Sequence, residues 1–329
     1  MLVSPPLNFG KHFDIAAASS AGVGATALEN QDNFLLIDGS GRAVCLQHQQ
    51  LQETTLPHWP AGHLRLAVLD GMGGHGQGRQ AAEAVVAGLL ALPACDSLAV
   101  LSARLDALHT RLQAQFAAAA GGKQAPSRRP GTTLTVLEMA PGAAPLLYHV
   151  GDSRLYEVRH DGVTVLTVDH VPATAFAMAG VLQAQEWWQQ VHGEHRPQIA
   201  QAFVLGNAFA DPSALADGLH ALTGERLPPF LAHLGDRRAL TLRADATYVL
   251  ATDGFWSCTA PQPWVNSWPA LFDGAADAAT MVGRLFDGLA AQAPEQLHVD
   301  NLTAIIVRPL SGQQKRDSGD DTYAGLPNF

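Results

Sequence analysis

The sequence has little cysteine, little charge and no basic block. Its three cysteines, Cys45, Cys95 and Cys258, are scattered, odd in number and form no C-x-x-C pair. That excludes a disulfide framework or a cysteine-built zinc site and fits a reduced compartment. Charged residues make up 15% of the 329 positions, and 20 Lys and Arg stand against 30 Asp and Glu, a net charge of −10. Bases never run beyond two in a row, which argues against nucleic acid or an anionic membrane as the main partner. Long apolar runs are missing as well: residues 84–92 reach about half of a membrane span. The first residues show neither the charged nor the apolar region of a secretory leader. We therefore expect a cytoplasmic, soluble and monomeric protein.

What is present is apolar mass, 47% of the residues, enough for one large core or two smaller ones. One stretch organises the chain. Residues 66–69, Leu-Ala-Val-Leu, have the composition of a strand buried on both faces. Asp70 stands where that strand leaves the core, and Gly71-Met72-Gly73-Gly74-His75-Gly76 follows, ahead of an Ala-rich helical pattern. A carboxylate at the end of a rigid strand can hold a metal, although Asp-Gly is also an ordinary turn dipeptide. The glycines also match the G-x-G-x-x-G of dinucleotide-binding folds. That reading needs an acid after a second strand. Asp96 has about the right spacing, but residues 89–94 contain a proline and no β-branched residue, so the fingerprint lacks its second half.

Taken in order, strands are expected at 13–20, 33–37 and 64–69, with a turn-rich polar connection over 39–63. Helices are expected at 79–92 and 98–120, the second from its apolar spacing. Residues 131–137, 146–150, 154–158 and 163–167 read as a meander of short antiparallel strands, with Asp152 in the turn of a hairpin. Residues 183–192, with Trp187-Trp188, read as a helix. Strands resume at 239–242 and 247–252, a helix at 276–291 and a last strand at 302–307. We expect one domain over 1–310 with irregular segments at 113–130 and 207–238, then a disordered tail at 311–329.

Acids recur at strand ends. Asp70 and Asp253 each end an apolar strand and precede glycine, while Asp32 and Asp300 each stand before one. Carboxylates meeting at one end of a sheet repel unless a cation neutralises them. Hard divalent cations such as Mg²⁺ and Mn²⁺ take oxygen ligands of this kind.

The ordered set Asn30-Gln31-Asp32, Asp70-Gly71-Met72-Gly73-Gly74-His75-Gly76, Gly131-Thr132-Thr133, Gly151-Asp152-Ser153-Arg154-Leu155-Tyr156, Thr252-Asp253-Gly254-Phe255-Trp256 and Asp300-Asn301-Leu302-Thr303 resembles the bacterial branch of the metal-dependent Ser/Thr protein phosphatases of type 2C (PPM). The likeness runs over residues 13–308. It implies an α+β fold, a four-layer α-β-β-α sandwich of two antiparallel sheets flanked by helices. It implies two Mn²⁺ or Mg²⁺ ions, with a third, weaker one in some members. By motif, Asp70 would bridge both ions, the Gly71 carbonyl would bind one, and Asp253 and Asp300 would complete the other site. Asp32 would hold water or touch a metal, and Asp152 would serve the third ion. Asp32, Asp70, Asp253 and Asp300 would be the catalytic set. The activity implied is hydrolysis of phosphoserine or phosphothreonine in proteins, substrates of a bacterial Ser/Thr kinase, by a water activated between two metals. His75 is expected to serve loop structure rather than acid catalysis, and Arg154 to support the Asp152 turn.

Two positions depart from the pattern. The family's phosphate-clamping Arg lies five residues before the Asp of Asn-x-Asp, and here that residue is Ala27. Arg128 or Arg129 is the candidate substitute, with a solvated loop pair as the plainer reading. The third-metal acid four residues after the Asp of Thr-Asp-Gly is replaced by Ser257. The alternative function is accordingly a degenerate, metal- or phosphoprotein-binding regulatory module with little turnover.

Overall fold

The apolar strands foreseen in the sequence pair into two antiparallel sheets. The computed structural model describes residues 1–22, 29–73, 77–119, 129–193, 198–209 and 215–310. One sheet has six strands, β1 (Leu2–Val3), β2 (Phe13–Ser20), β17 (Leu302–Pro309), β16 (Thr247–Ala251), β11 (Arg154–Arg159) and β12 (Gly162–Val165), in that spatial order. The other has seven, β15 (Arg237–Ala239), β10 (Leu146–Val150), β9 (Leu134–Met139), β6 (Leu64–Leu69), β3 (Asn33–Ile37), β4 (Arg42–Gln47) and β5 (Gln50–Thr55). Two short ladders complete the set: β7 (Gly71–Met72) with β8 (Gly131–Thr132), and β13 (Gln201–Ala202) with β14 (Gly206–Asn207).

Side-chain alternation along each strand explains the layering. Ile15 and Ala17 of β2 and Ile305 and Val307 of β17 join Phe34, Leu36, Leu66 and Val68 in a core between the sheets. Their neighbours Ala16, Ala18, Ala304 and Ile306 face outward onto α7 (Ala278–Ala291) and the short helices α5 (Gln262–Val265) and α6 (Trp268–Phe272). On the opposite side Leu35, Ile37, Ala67 and Leu69 pack under α1 (Gln77–Ala91) and α2 (Leu98–Ala119). Helix, sheet, sheet, helix is the four-layer sandwich. Burying a Leu, Ile or Phe stabilises by roughly 1.5–3 kcal/mol, so these three clusters can hold strand ends together even where acids crowd them. A smaller cluster joins α3 (Pro172–Met178) and α4 (Ala184–Trp188) to Val168, Leu222, Leu227 and Leu231.

Four expectations need correction. Residues 39–63 hold a strand pair, β4 and β5, turned through His48 and Gln49 at φ 48° and 63°. The turn escaped notice because it uses His-Gln where Asn-Gly is usual, and β5 is a polar, exposed edge. Strand β15 is Arg237–Ala239, so Thr241 and Leu242 lie past its end. Helix α2 continues to Ala119, so residues 113–119 of the expected loop are helical, with Phe116 keeping the apolar spacing. Most consequentially, β10 and β11 do not form a hairpin. They belong to different sheets, and Gly151-Asp152-Ser153 is the corner where the chain crosses between them. The segments 120–128 and 311–329 lie outside the described residues.

Candidate metal centre

Strand registers bring the acids to one rim. Asn33 of β3 pairs with Leu69 of β6, so Asp32 and Asp70 flank the same end of that pair. In the other sheet Ala251 of β16 pairs with Ala304 of β17, and Leu302 with Ser20 of β2. Asp253 and Asp300 therefore lie just beyond the neighbouring ends of β16 and β17. Arg154 pairs with Ala251, which sets the Asp152 corner at that rim as well.

Threonines and asparagines stitch the two sheets together there. Thr252 Oγ1 donates to Asp32 Oδ2 at 2.7 Å and accepts the Thr303 N–H at 3.0 Å. Thr303 Oγ1 shares a 2.8 Å bond with Ser19 Oγ, which accepts from Asn30 Nδ2 at 2.8 Å. Asn301 Oδ1 accepts the Gln31 N–H at 2.7 Å, and its Nδ2 donates to the carbonyls of Ala21 and Glu29 at 3.2 Å. The Asn301 N–H donates to Asp300 Oδ1 at 2.8 Å. A Cβ at Gly254 would collide with the Asn301 carbonyl, so glycine there permits the close approach of the Asp253 turn to the Asp300 segment.

Asp70 and Asp152 are joined in a similar way. The Asp70 N–H donates to Thr133 Oγ1 at 2.8 Å, and Thr133 Oγ1 and Ser153 Oγ lie 2.6 Å apart. Gly151, at φ +111°, turns the chain against the Thr133 side chain, where a Cβ would stand 2.6 Å from Thr133 Cγ2. Gly71 lies in the two-residue ladder with Thr132. Behind the corner, the Gly151 N–H donates to His170 Nδ1 at 3.1 Å, and His170 Nε2 contacts Asp236 Oδ2 at 3.1 Å. Arg154 donates from Nε and Nη2 to buried Asp169, the shorter contact at 2.7 Å, and its guanidinium stacks 4.8 Å from the Trp256 ring. Arg154 was expected to support a hairpin; with β10 and β11 in different sheets there is none, and its guanidinium instead ties β11 to Asp169 and the Val191 carbonyl.

The electrostatics fit a cation. Burial pushes the Asp70 carboxyl well above the usual carboxylate range, and Asp253, Asp32, Asp300 and Asp152 each push it further. Burial does the same to Asp32, opposed by hydrogen bonds from Thr252 and Thr303 and aided by Asp300 and Asp253. Asp70 thus feels four other carboxylates and Asp32 feels Asp253 and Asp300, and these acids are the oxygen donors that hard divalent ions take. Among the described residues no three such side chains are already gathered in a coordinating arrangement.

Several expected residues stand elsewhere. Ala27, His75 and Arg128 lie outside the described residues. Arg129 donates from Nη1 to Asp217 Oδ1 at 2.7 Å in an exposed pair. Ser257 Oγ donates to the Asp253 carbonyl at 3.1 Å, so it braces the turn and offers no carboxylate. Asp96 follows α1 in no strand, which leaves the dinucleotide fingerprint without its partner. Sequence reading gave no role to Thr252, Thr303 and Thr133, although all three stand in its motifs, and it missed the His170–Asp236 pair. Thr252 and Thr303 adjoin motif acids, which was a usable signal. Asp236 sat in a segment with no readable periodicity.

An α-β-β-α sandwich with acids converging at one end of its sheets defines the class to which the chain is to be compared. Residues 49–297 match the family model described as Protein phosphatase 2C, and the chain belongs to that family. It is 30% identical over 202 residues to the serine/threonine protein phosphatase PstP of Mycobacterium tuberculosis, covering 59% of this chain and 32% of that protein. The chain thus spans about a third of the length of the curated relatives it matches. Among solved structures, the S. agalactiae serine/threonine phosphatase superposes with a TM-score of 0.60 at 18% identity, covering 90% of this chain and 99% of that one. The catalytic domain of PstP in complex with two manganese ions gives 0.55 at 21% identity, covering 91% and 99%. These likenesses carry the fold. No helix among the described residues is long and apolar enough to cross a membrane.

Proposed function

We propose that this chain hydrolyses phosphoserine and phosphothreonine esters of proteins, with Asp70, Gly71, Asp253 and Asp300 holding two Mn²⁺ or Mg²⁺ ions. The observation that supports the reading is the strand register that sets Asp32 and Asp70 in one sheet, and Asp253, Asp300 and the Asp152 corner in the other, at one rim of the sandwich. Asp70 and the Gly71 carbonyl would hold the ions from the end of β6, and Asp253 and Asp300 would complete the set from the other sheet. When bound, such ions supply Lewis-acid activation of water and neutralise charge on the phosphoryl oxygens.

The chain's own residues orient the reaction. Asp32 is fixed by the Thr252 hydroxyl, which leaves it a stationary acceptor for the attacking water and its proton. Asp152 lies at the crossing corner between the sheets and would serve a third, weaker ion if one binds. No cysteine or serine nucleophile is required: Cys45, Cys95 and Cys258 are buried, and burial pushes each thiol up, away from the reactive thiolate. The physiological partner is then a phosphorylated protein, a substrate of a bacterial Ser/Thr kinase. The second reading, a metal-binding module with little turnover, is favoured by Ser257 standing where the family places an acid and bracing the Asp253 carbonyl instead. Phosphate release from a phosphothreonine peptide in Mn²⁺ and in EDTA separates the two. Release in Mn²⁺ and none in EDTA is expected; no release by the metal-loaded chain would establish the module.

A further inference from the structure

The Gly71 carbonyl stands in a ladder only two residues long, β7 with β8. A third backbone segment extends it. The Phe203 N–H donates to the Thr132 carbonyl at 2.9 Å, and the Thr132 N–H donates to the Phe203 carbonyl at 3.0 Å. Thr132 is also the residue paired with Gly71, so it stands between the two. Phe203 begins the turn that joins β13 to β14.

That turn is strained. Val204 has φ +70°, a left-handed conformation that a β-branched residue keeps only where its surroundings impose it. Here α2 imposes it. The buried Val204 N–H donates to His109 Nδ1 at 2.9 Å, and the His109 ring packs edge-on against Phe203 with centroids 5.2 Å apart. Gln113 Nε2, one turn further along α2, donates to the Leu205 carbonyl at 3.3 Å. Burial keeps the imidazole neutral, pushing its pKa down to about 4, so Nδ1 is free to accept. The charges that act on His109 are Asp106, Asp217 and Arg237, none of them a rim acid. Its influence on the rim runs through the backbone.

We propose that His109 is a positioning residue for the cation centre: by holding the turn at Val204, and through it the Phe203–Thr132 bridge, it fixes where the Gly71 carbonyl points. This rests on the reading of Gly71 as a metal ligand. Without the acceptor a buried N–H is left unpaired, and Val204 relaxes toward an extended conformation. Phe203 then moves with its neighbour, and the short ladder loses the segment that braces it. The same hairpin is tethered at its other end. The Ala200 N–H donates to the His170 carbonyl at 2.8 Å, and the His170 N–H donates to the Gly151 carbonyl at 2.8 Å. The segment held by His109 therefore runs from the Gly71 ladder to the Asp152 corner.

The test is calorimetric titration of Mn²⁺ into the metal-free full chain and into variants shown to be folded by circular dichroism. His109→Phe keeps a ring against Phe203 and removes the acceptor. It is expected to weaken Mn²⁺ binding about tenfold, the scale of one buried group left unpaired, and His109→Ala should do the same. Turnover of a small phosphate ester by His109→Phe should recover as Mn²⁺ is raised, with KM for the ester unchanged. Lost fold stability alone would lower the melting temperature and leave the Mn²⁺ affinity of the folded protein where it was. His109→Asn, whose Oδ1 takes the place of Nδ1, should bind Mn²⁺ nearly as wild type does. Adding Val204→Gly to His109→Phe removes the strain and should restore most of the affinity. In wild type, amide hydrogen exchange over residues 200–207 should slow on adding Mn²⁺, because such coupling is reciprocal; this needs no variant and decides by itself if the substitutions do not fold. The proposal is overturned if the acceptor-free variants bind Mn²⁺ as wild type does, if His109→Asn fails to rescue, or if exchange over 200–207 ignores the metal. Mn²⁺ uptake that no His109 variant alters leaves the metal reading standing. A wild type that takes up no Mn²⁺ sinks that reading and the proposal with it.

Discussion

The Thr252 hydroxyl donates to Asp32 Oδ2 at 2.7 Å across 220 residues of chain, and it is one of the bonds by which the two sheets meet at the acidic rim. Thr252 follows β16 in one sheet and Asp32 precedes β3 in the other. Replacing it by valine keeps the shape and strips a buried carboxylate of a donor. Thr252→Val is expected to lose roughly 1–3 kcal/mol in denaturant unfolding of the Mn²⁺-loaded protein, as for other unsatisfied buried groups. Thr252→Ser should retain most of that. Equal midpoints for wild type and the valine variant would mean that the bond does not tie the sheets.

Metal removal and pH should act together. In the metal-free fold, Asp32 and Asp70 have carboxyls raised above the ordinary value, about 3.9 in an unfolded chain. Between that value and the raised ones the folded chain binds more protons than the unfolded chain, so its stability falls as pH rises. The contribution is fully present below the unfolded value and is lost once pH passes the folded ones. Cations replace the protons. The melting temperature gained on adding Mn²⁺ to EDTA-treated protein should therefore be larger at pH 8 than at pH 5. A gain that is absent, or largest at low pH, would contradict mutual repulsion at the rim.

Two arginine pairs should differ sharply. Arg154 and Asp169 are buried, with side chains 2% and 4% exposed, whereas Arg129 and Asp217 are 32% and 74% exposed. Arg154→Met strands a buried carboxylate and should cost roughly 3–5 kcal/mol. Arg129→Ala should cost under about 1 kcal/mol. Urea unfolding of both variants decides, and similar losses would mean that burial does not set the scale here.

By the family's sequence pattern, Ala27 takes the position of a phosphate-clamping arginine. A charge-assisted bond contributes roughly 1.5–3 kcal/mol, so Ala27→Arg should lower KM for a small phosphate ester by about 10- to 150-fold with little change in kcat. If KM stays put while the double variant Arg128→Ala/Arg129→Ala raises it, the loop arginines are the clamp instead.

Much of this was legible before any coordinates. Strands at 13–20, 33–37 and 64–69 and the four strand-end acids could be read because a doubly buried strand is a plain apolar run. Sheet membership was not legible. Residues 146–158 look like a hairpin in sequence, and only pairing partners show that β10 and β11 part at Gly151. The His48-Gln49 turn was hidden because positive φ is usually signalled by Gly or Asn. His170 and Asp236 were hidden because their contact joins segments 66 residues apart, and no local pattern records such a pair.

We propose that acids from both sheets make one cation centre. Calorimetric titration of Mn²⁺ into metal-free wild type, Asp70→Asn, Asp253→Asn and Asp161→Asn tests it most directly. Asp161 is exposed and pairs with Arg159 in a surface turn, so that variant should bind Mn²⁺ as wild type does. Wild type is expected to take up at least two ions, Asp253→Asn to lose one site, and Asp70→Asn to lose both. Isotherms for Asp70→Asn and Asp253→Asn that overlay wild type would contradict the claim.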